Sequence, residues 1–102
     1  MVIADWHYDS AIPGAAFFAM HGLSVVSCPW RKPDVAMAQI DMLNALRKAN
    51  KPVGERALGL MQTTWTDAGS FIRAYNGDAA ATVQAKEAAN CFRTAMQRLR
   101  EQ

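Results

Sequence analysis

An aromatic residue with polar neighbours follows each of three short apolar segments of the chain. The three stretches are Asp5-Trp6-His7-Tyr8, Pro29-Trp30-Arg31 and Thr64-Trp65-Thr66-Asp67, and they contain all 3 tryptophans of the sequence. Indole rings stack on the flat apolar faces of sugars, and carboxylates accept hydrogen bonds from hydroxyl groups. Together the stretches would therefore form an aromatic-walled site for a hydroxyl-rich ligand. The candidate binding residues are Asp5, Trp6, His7, Tyr8, Trp30, Trp65 and Asp67.

Some of these groups could also transfer protons. Asp5 and Asp67 would form a carboxylate pair if the stretches met, and His7 would be an acid–base group. Binding roles are favoured, because His7 has no paired acid at a recognisable spacing. No catalytic residue is predicted.

The apolar segments before the aromatic residues predict three β-strands. They are Met1–Ala4, Leu23–Cys28, and Ala57–Met61 with a continuation through Thr64 to Asp67. The predicted helices are 10–21 with Gly22 at its end, Val35–Asn50 capped by Asp34, Ala68–Tyr75, and Ala79 to about Arg100 capped by Asp78. Strands that alternate with helices predict right-handed crossovers and a parallel sheet. The carboxyl ends of parallel strands share one edge, where the tryptophans and Tyr8 should converge.

The predicted fold class is thus α/β, with three parallel strands and a long C-terminal helix in a single domain over residues 1–102. The helical stripes also predict a core position for each phenylalanine. These are Phe17, Phe18, Phe71 and Phe92.

Composition argues against several other classes of protein. The chain has 102 residues, 51% hydrophobic and 20% charged, with a net charge of +2, so we expect a folded and soluble domain. So slight a positive balance gives no reason to expect nucleic acid or a membrane surface as a partner. Cys28 and Cys91 lack metal-binding spacing, so no metal or cofactor is predicted. Two buried free thiols are favoured over a disulfide, which remains open.

The order of these segments resembles the last three strand–helix units of a (β/α)8 glycoside hydrolase of the family 20 type, which includes the β-N-acetylhexosaminidases. The resemblance runs through Val2-Ile3-Ala4-Asp5-Trp6-His7-Tyr8, Gly22 to Trp30, and Leu58 to Asp67. It implies that Trp65-Thr66-Asp67 corresponds to the family's Trp-x-Glu, in which the Trp walls the sugar subsite and the acid binds hydroxyls. Trp6 is similar to a second subsite Trp.

The sequence departs from that family in three places. Asp67 stands where Glu is usual, which shortens the acid by one methylene. The second strand ends in Cys28-Pro29-Trp30, without the Asp–Tyr pair that orients an N-acetyl group. The family's catalytic Asp–Glu pair lies on a middle strand, before any residue of this chain. The resemblance therefore implies an inactive C-terminal fragment that contributes a carbohydrate subsite to its parent enzyme.

Length agrees with a fragment, because such a barrel takes about 250 residues. Three parallel strands leave two open sheet edges, through which copies of the chain could associate as a homo-oligomer. A self-contained α/β interaction module that dimerises through those edges is the alternative function. An unrelated small-molecule site at the same rim is a third. The compartment is not given by the sequence, and a periplasmic or secreted parent is one option.

Overall fold

The computed structural model describes residues 1–101 and has the predicted α/β architecture. The strands are β1 (Val2–Asp5), β2 (Ser24–Ser27) and β3 (Ala57–Leu60). The helices are α1 (Gly14–Met20), α2 (Pro33–Ala49), α3 (Lys51–Gly54), α4 (Ala68–Tyr75) and the long C-terminal α5 (Val83–Arg100). The prediction of three strands alternating with helices is confirmed.

The three strands form one parallel sheet in the order β1-β2-β3. β1 and β2 pair in simple register, with Ile3 opposite Val25 and Asp5 opposite Ser27. Between β2 and β3 the register shifts, because Val25 lies opposite Ala57 and Val26 opposite Gly59. Leu58 is the extra residue of this bulge, and Gly59 has a φ of 136°, which favours glycine.

α1, α2 and α3 pack on the strands, and right-handed crossovers between successive neighbouring strands place them on one face of the sheet. On that face Val25 and Ala57 are buried against Ala15, Ala19 and Leu43, with Ile3 packed on the cluster. A second cluster joins α2 to α5 through Ile40, Cys91 and their small neighbours. The opposite face carries exposed apolar side chains, notably Val2 at 53% and Leu58 at 48%.

Two helices end in the same backbone motif. After α1 the Leu23 N–H donates to the Phe18 carbonyl and the Gly22 N–H to the Ala19 carbonyl. The Asp78 and Gly77 N–H groups repeat this pattern at the end of α4, bonding the Arg73 and Ala74 carbonyls. Both glycines have a φ of 86°, the left-handed conformation that this cap needs. Gly22 was correctly placed at a helix end.

The predicted starts of three helices were wrong. The first helix begins at Gly14 rather than at residue 10. α2 begins at Pro33, so Asp34 lies in its first turn rather than capping it. The last helix begins at Val83 rather than Ala79, because the Thr82 hydroxyl accepts from the Ala85 N–H. Asp78 instead accepts from the Ala80 N–H in the preceding turn.

The short helix α3 was not predicted, although a cap and a proline mark it. Asn50 accepts from the Val53 N–H, and Pro52 occupies a first-turn position, where the missing N–H is tolerated. Gly54 packs so tightly on α2 that an added Cβ would lie 2.6 Å from the Arg47 Cα.

The phenylalanine prediction holds only in part. Phe71 and Phe92 are half-buried and meet edge to face at 5.9 Å between α4 and α5. Phe18 is half-buried against the main core. Phe17 is 57% exposed, so its predicted core position was wrong. It is adjacent to Phe18 on a short helix that buries only Ala15 and Ala19, so its ring lies outside the buried face.

Candidate functional site: an aromatic cluster at the carboxyl edge of the sheet

All three strands end at the same edge of the sheet, and the aromatic residues lie in the loops that follow them. Pairing continues past the strand ends, because the Met61 N–H donates to the Ser27 carbonyl and the Thr63 N–H to the Pro29 carbonyl. β3 itself ends at Leu60, so its predicted continuation to Asp67 was wrong as a regular strand. The segment beyond Leu60 still reaches the rim.

The predicted convergence of the four rings is confirmed by direct contacts. Trp6 and Trp65 meet edge to face, with centroids 5.5 Å apart and planes 87° apart. Tyr8 contacts Trp65 at 6.4 Å and Trp30 at 5.5 Å. We call Trp6, Tyr8, Trp30 and Trp65 the aromatic cluster. Trp6 and Trp65 remain 55% and 56% exposed, so the cluster offers ring surface to a ligand.

Two hydrogen bonds fix the orientation of these rings. The Trp65 indole N–H donates to the Tyr8 hydroxyl oxygen at 2.8 Å. The Trp30 indole N–H donates to the Thr64 carbonyl at 3.1 Å. The Tyr8 oxygen already accepts from Trp65, so the hydrogen of its O–H can be donated to a ligand.

Trp65 has an unusual backbone conformation. Its φ is 51°, which is the left-handed region that a bulky residue rarely adopts. This costs on the order of 1 kcal/mol, and such strain concentrates at functional sites. The ring contacts and the bond to Tyr8 compensate for it.

Asp5 and His7 form a pair that the sequence analysis missed. His7 Nδ1 lies 2.6 Å from an Asp5 carboxylate oxygen, with the aspartate side chain 6% exposed and the imidazole 44% exposed. An extended chain places residues i and i+2 on the same side, and this spacing was the available signal. The contacts alternate, because Asp5 and His7 pair with each other while Trp6 and Tyr8 both contact Trp65.

Asp67 follows Trp65 in the same loop but binds within its own helix terminus. Its carboxylate accepts from the Ser70 N–H at 2.8 Å and the Ser70 hydroxyl at 2.7 Å, so it caps α4. The hydroxyl bond, followed by the N–H bond, lowers the pKa of Asp67 below its ordinary value of 3.8. Asp5 and Asp67 are thus engaged with different partners rather than with each other.

Basic residues border the cluster, each with an acidic neighbour. The Arg31 guanidinium lies 4.4 Å from the Trp30 ring centroid and 4.0 Å from a Glu87 carboxylate oxygen. Lys32 lies 3.4 Å from Asp9. The border of the cluster is therefore close to neutral.

The loops that carry the rings are anchored by polar side chains that sequence reasoning did not single out. Gln39 on α2 donates to the His7 carbonyl at 3.1 Å. Gln62 donates to the Trp30 carbonyl at 2.7 Å, and the Thr63 hydroxyl donates to the Pro29 carbonyl at 2.9 Å. A glutamine on a helix or in a loop has no local sequence signature for such a role.

Neither a metal site nor a reactive thiol emerges from residues 1–101. The structure has no group of three His, Cys, Asp or Glu side chains suited to a metal ion over that range. Cys28 and Cys91 are free and buried, as favoured from the sequence. Burial, and then the Asp34 charge, raises the pKa of Cys91 to about 11. Burial, and then the Asp5 charge, raises the pKa of Cys28.

One cavity lies away from the aromatic cluster. It has a volume of about 260 Å³ and is lined by Met37, Thr94, Gln97, Arg98 and Glu101 on α2 and at the end of α5. It contains none of the predicted site residues. The open aromatic cluster, rather than this cavity, is the site with converging functional groups.

No known family model matches the chain, and no curated protein matches it significantly. Within the described part of the chain, every helix is too short or too polar to span a bilayer.

Proposed function

We propose that the chain provides a carbohydrate subsite and corresponds to the last three strand–helix units of a family 20-like glycoside hydrolase barrel. The observation that carries the proposal is the meeting of Trp6, Tyr8 and Trp65 at the carboxyl edge of a parallel sheet. Ligands bind at this edge in α/β barrels.

The chemistry of the cluster suits a neutral, hydroxyl-rich ligand. Trp6 and Trp65 expose more than half of their surface for stacking against a sugar face. The Tyr8 hydroxyl lies among the rings as a donor, and the neighbouring charges are balanced by acidic partners. A strongly anionic ligand is less suited to this setting.

The one-sided sheet supports the equivalence with a barrel. In a (β/α)8 barrel the helices form an outer ring, and the strands turn apolar side chains inward. Here Ile3 and Val25 pack against helices, while Val2 and Leu58 are exposed on the other face. An exposed apolar face opposite the helices is what these strands would turn toward the interior of such a barrel.

In this proposal Asp67 does not bind sugar hydroxyls as the Glu of the family's Trp-x-Glu does. Asp67 is shorter than Glu and its oxygens accept from Ser70. Hydroxyl recognition therefore depends on Tyr8 more than on Asp67. Glycosidic hydrolysis needs a proton donor and a second stabilising group, which the parent would supply, so we expect the chain alone to be inactive.

A sugar titration followed by tryptophan fluorescence tests the proposal. N-acetylglucosamine and methyl β-glucoside are added to the 102-residue protein, with an acyclic polyol, glycerol, as the control. We expect a saturable blue shift or quenching with a sugar, abolished in Trp6→Ala. Silence with both sugars would contradict the proposal. Turnover of aryl glycosides that is lost in Asp67→Ala would contradict the expected inactivity.

A dimerising interaction module is the second candidate, and the exposed apolar sheet face favours it. Val2 and Leu58 lie on that face beside two unpaired strand edges. Exposed strand edges pair readily with other chains. A tight dimer in sedimentation whose tryptophans are buried and do not respond to sugars would favour this function over carbohydrate binding.

A further inference from the structure

Gln39 is a polar side chain in an otherwise apolar part of α2. It is 2% exposed, and the buried helix residues around it are Val35, Ala36, Ile40 and Leu43. Its Nε2 donates to the His7 carbonyl, and only this orientation of the amide fits, because a carbonyl cannot donate. Its Oε1 is buried without a hydrogen-bond partner in the described chain.

Gln62 repeats this arrangement one loop further on. Its Nε2 donates to the carbonyls of Trp30 at 2.7 Å and Thr63 at 2.7 Å, and more weakly to that of Pro29 at 3.4 Å. Its Oε1 is also buried and unpartnered over residues 1–101. The two glutamines thus fasten the loop of Trp6 and Tyr8 and the loop of Trp30.

The unpaired Oε1 of each glutamine lowers stability. A buried acceptor without a partner loses its hydration and gains nothing in return. Of the carbonyls that they bind, that of Pro29 also accepts from the Thr63 N–H and hydroxyl. A methionine of similar size would remove the unpaired Oε1 at each position, but it would also remove the donor to the His7 or Trp30 carbonyl. Residues that lower local stability in this way are expected at functional sites.

We infer that Gln39 and Gln62 are positioning residues for the aromatic cluster, holding the ring-bearing loops in the geometry that receives a ligand. The inference rests on the proposed carbohydrate subsite for its ligand. Its structural content, the control of ring geometry by the amides of Gln39 and Gln62, can be measured without any ligand.

The test compares Gln39→Met and Gln62→Met with Gln97→Met, an exposed glutamine on α5 away from the cluster. Three quantities are measured for each protein: the urea midpoint, the exciton band of the Trp6–Trp65 pair in circular dichroism, and the affinity for N-acetylglucosamine. Trp6→Phe identifies the exciton band. We expect Gln39→Met and Gln62→Met to change the urea midpoint little, because the loss of an unpaired oxygen and the loss of a donor to a carbonyl have opposite effects. We expect both variants to weaken the exciton band and to lower the sugar affinity at least tenfold.

These readouts separate positioning from ordinary structural support, which would lower the urea midpoint together with affinity. An unchanged exciton band in both variants overturns the inference, whether or not the sugar binds. A lowered midpoint that accounts for the weaker band also overturns it. If the wild-type protein does not bind sugars but the exciton band weakens as expected, the positioning role is supported and the carbohydrate ligand is contradicted. The two sites are independent, so failure of one variant to fold leaves the other to decide.

Discussion

The indole N–H of Trp65 donates to the hydroxyl oxygen of Tyr8 across a separation of 57 residues. This bond joins the loop after β1 to the loop after β3, with β2 lying between them in the sheet. It sets the orientation of the Tyr8 hydroxyl and supports the strained backbone of Trp65. The outer strands are therefore coupled at the rim through the proposed ligand-binding groups.

Replacing Tyr8 with phenylalanine tests that bond. We expect Tyr8→Phe to lower the free energy of unfolding by about 0.5–1 kcal/mol, because Trp65 can turn its N–H to water. Tryptophan emission should shift to the red as Trp65 becomes more hydrated. Urea unfolding and emission spectra measure both effects. Tyr75→Phe is the matched control, since the Tyr75 ring packs on Phe71 and Phe92 away from the rim. Identical spectra for wild type and Tyr8→Phe would contradict the prediction.

Asp67 should contribute to stability only above acid pH. Its pKa is lowered in the folded protein by Ser70, so the ionised form is favoured by folding. This contribution is present above the ordinary pKa of 3.8 and disappears as pH falls through the lower folded value. The stability difference between wild type and Asp67→Ala should therefore shrink in acid.

Denaturation of both proteins between neutral pH and pH 3 measures this difference. Asp67→Ser keeps a capping oxygen without the charge and should show an intermediate, pH-independent effect at this site. A stability difference that grows as the pH falls would contradict the assignment of Asp67 as a cap.

Gly14 is packed against the Asp5 carboxylate. A Cβ at this position would lie 2.8 Å from one Asp5 carboxylate oxygen and 3.2 Å from the other. We expect Gly14→Ala to destabilise the fold by about 1–3 kcal/mol through overpacking. In the background of Asp5→Ala the same substitution should cost much less, because the clashing atoms are gone. Thermal unfolding of the four proteins measures the coupling, and additive effects would count against the close packing.

The two cysteines should be unreactive in the native protein. The thiolate is the nucleophile, and both thiol pKa values are raised, that of Cys91 to about 11. At pH 8 a chromogenic disulfide reagent should label neither cysteine, and denaturant should expose both. Rapid labelling of one native thiol would indicate that its burial is incomplete.

Much of the fold followed from patterns with a simple physical basis. α4 has the predicted bounds Ala68–Tyr75, since Asp67 can cap it and Asn76-Gly77 ends it. The last helix began later than predicted because two residues, Asp78 and Thr82, can each cap, and a sequence does not rank them. The third strand ended early because the bulge at Gly59 and the left-handed Trp65 are tertiary outcomes.

The site was predictable as far as topology determines it. Parallel strands bring their carboxyl ends to one edge, so the meeting of Trp6, Trp30 and Trp65 loops required no detailed packing. The hydrogen bonds of Gln39 and the use of Asp67 by Ser70 depend on side-chain positions that spacing does not fix. The role of each residue in binding a sugar remains a prediction.

The open sheet has a geometric consequence for self-association. Its two outer strands present different edges, one from β1 and one from β3. If β3 of one copy adds to β1 of the next in the same direction, the contact is head-to-tail and leaves a free edge at each end. Such an arrangement grows into rings or fibres rather than stopping at two copies. A closed pair would instead require two identical edges to run antiparallel, a register in which the two aromatic rims point in opposite directions.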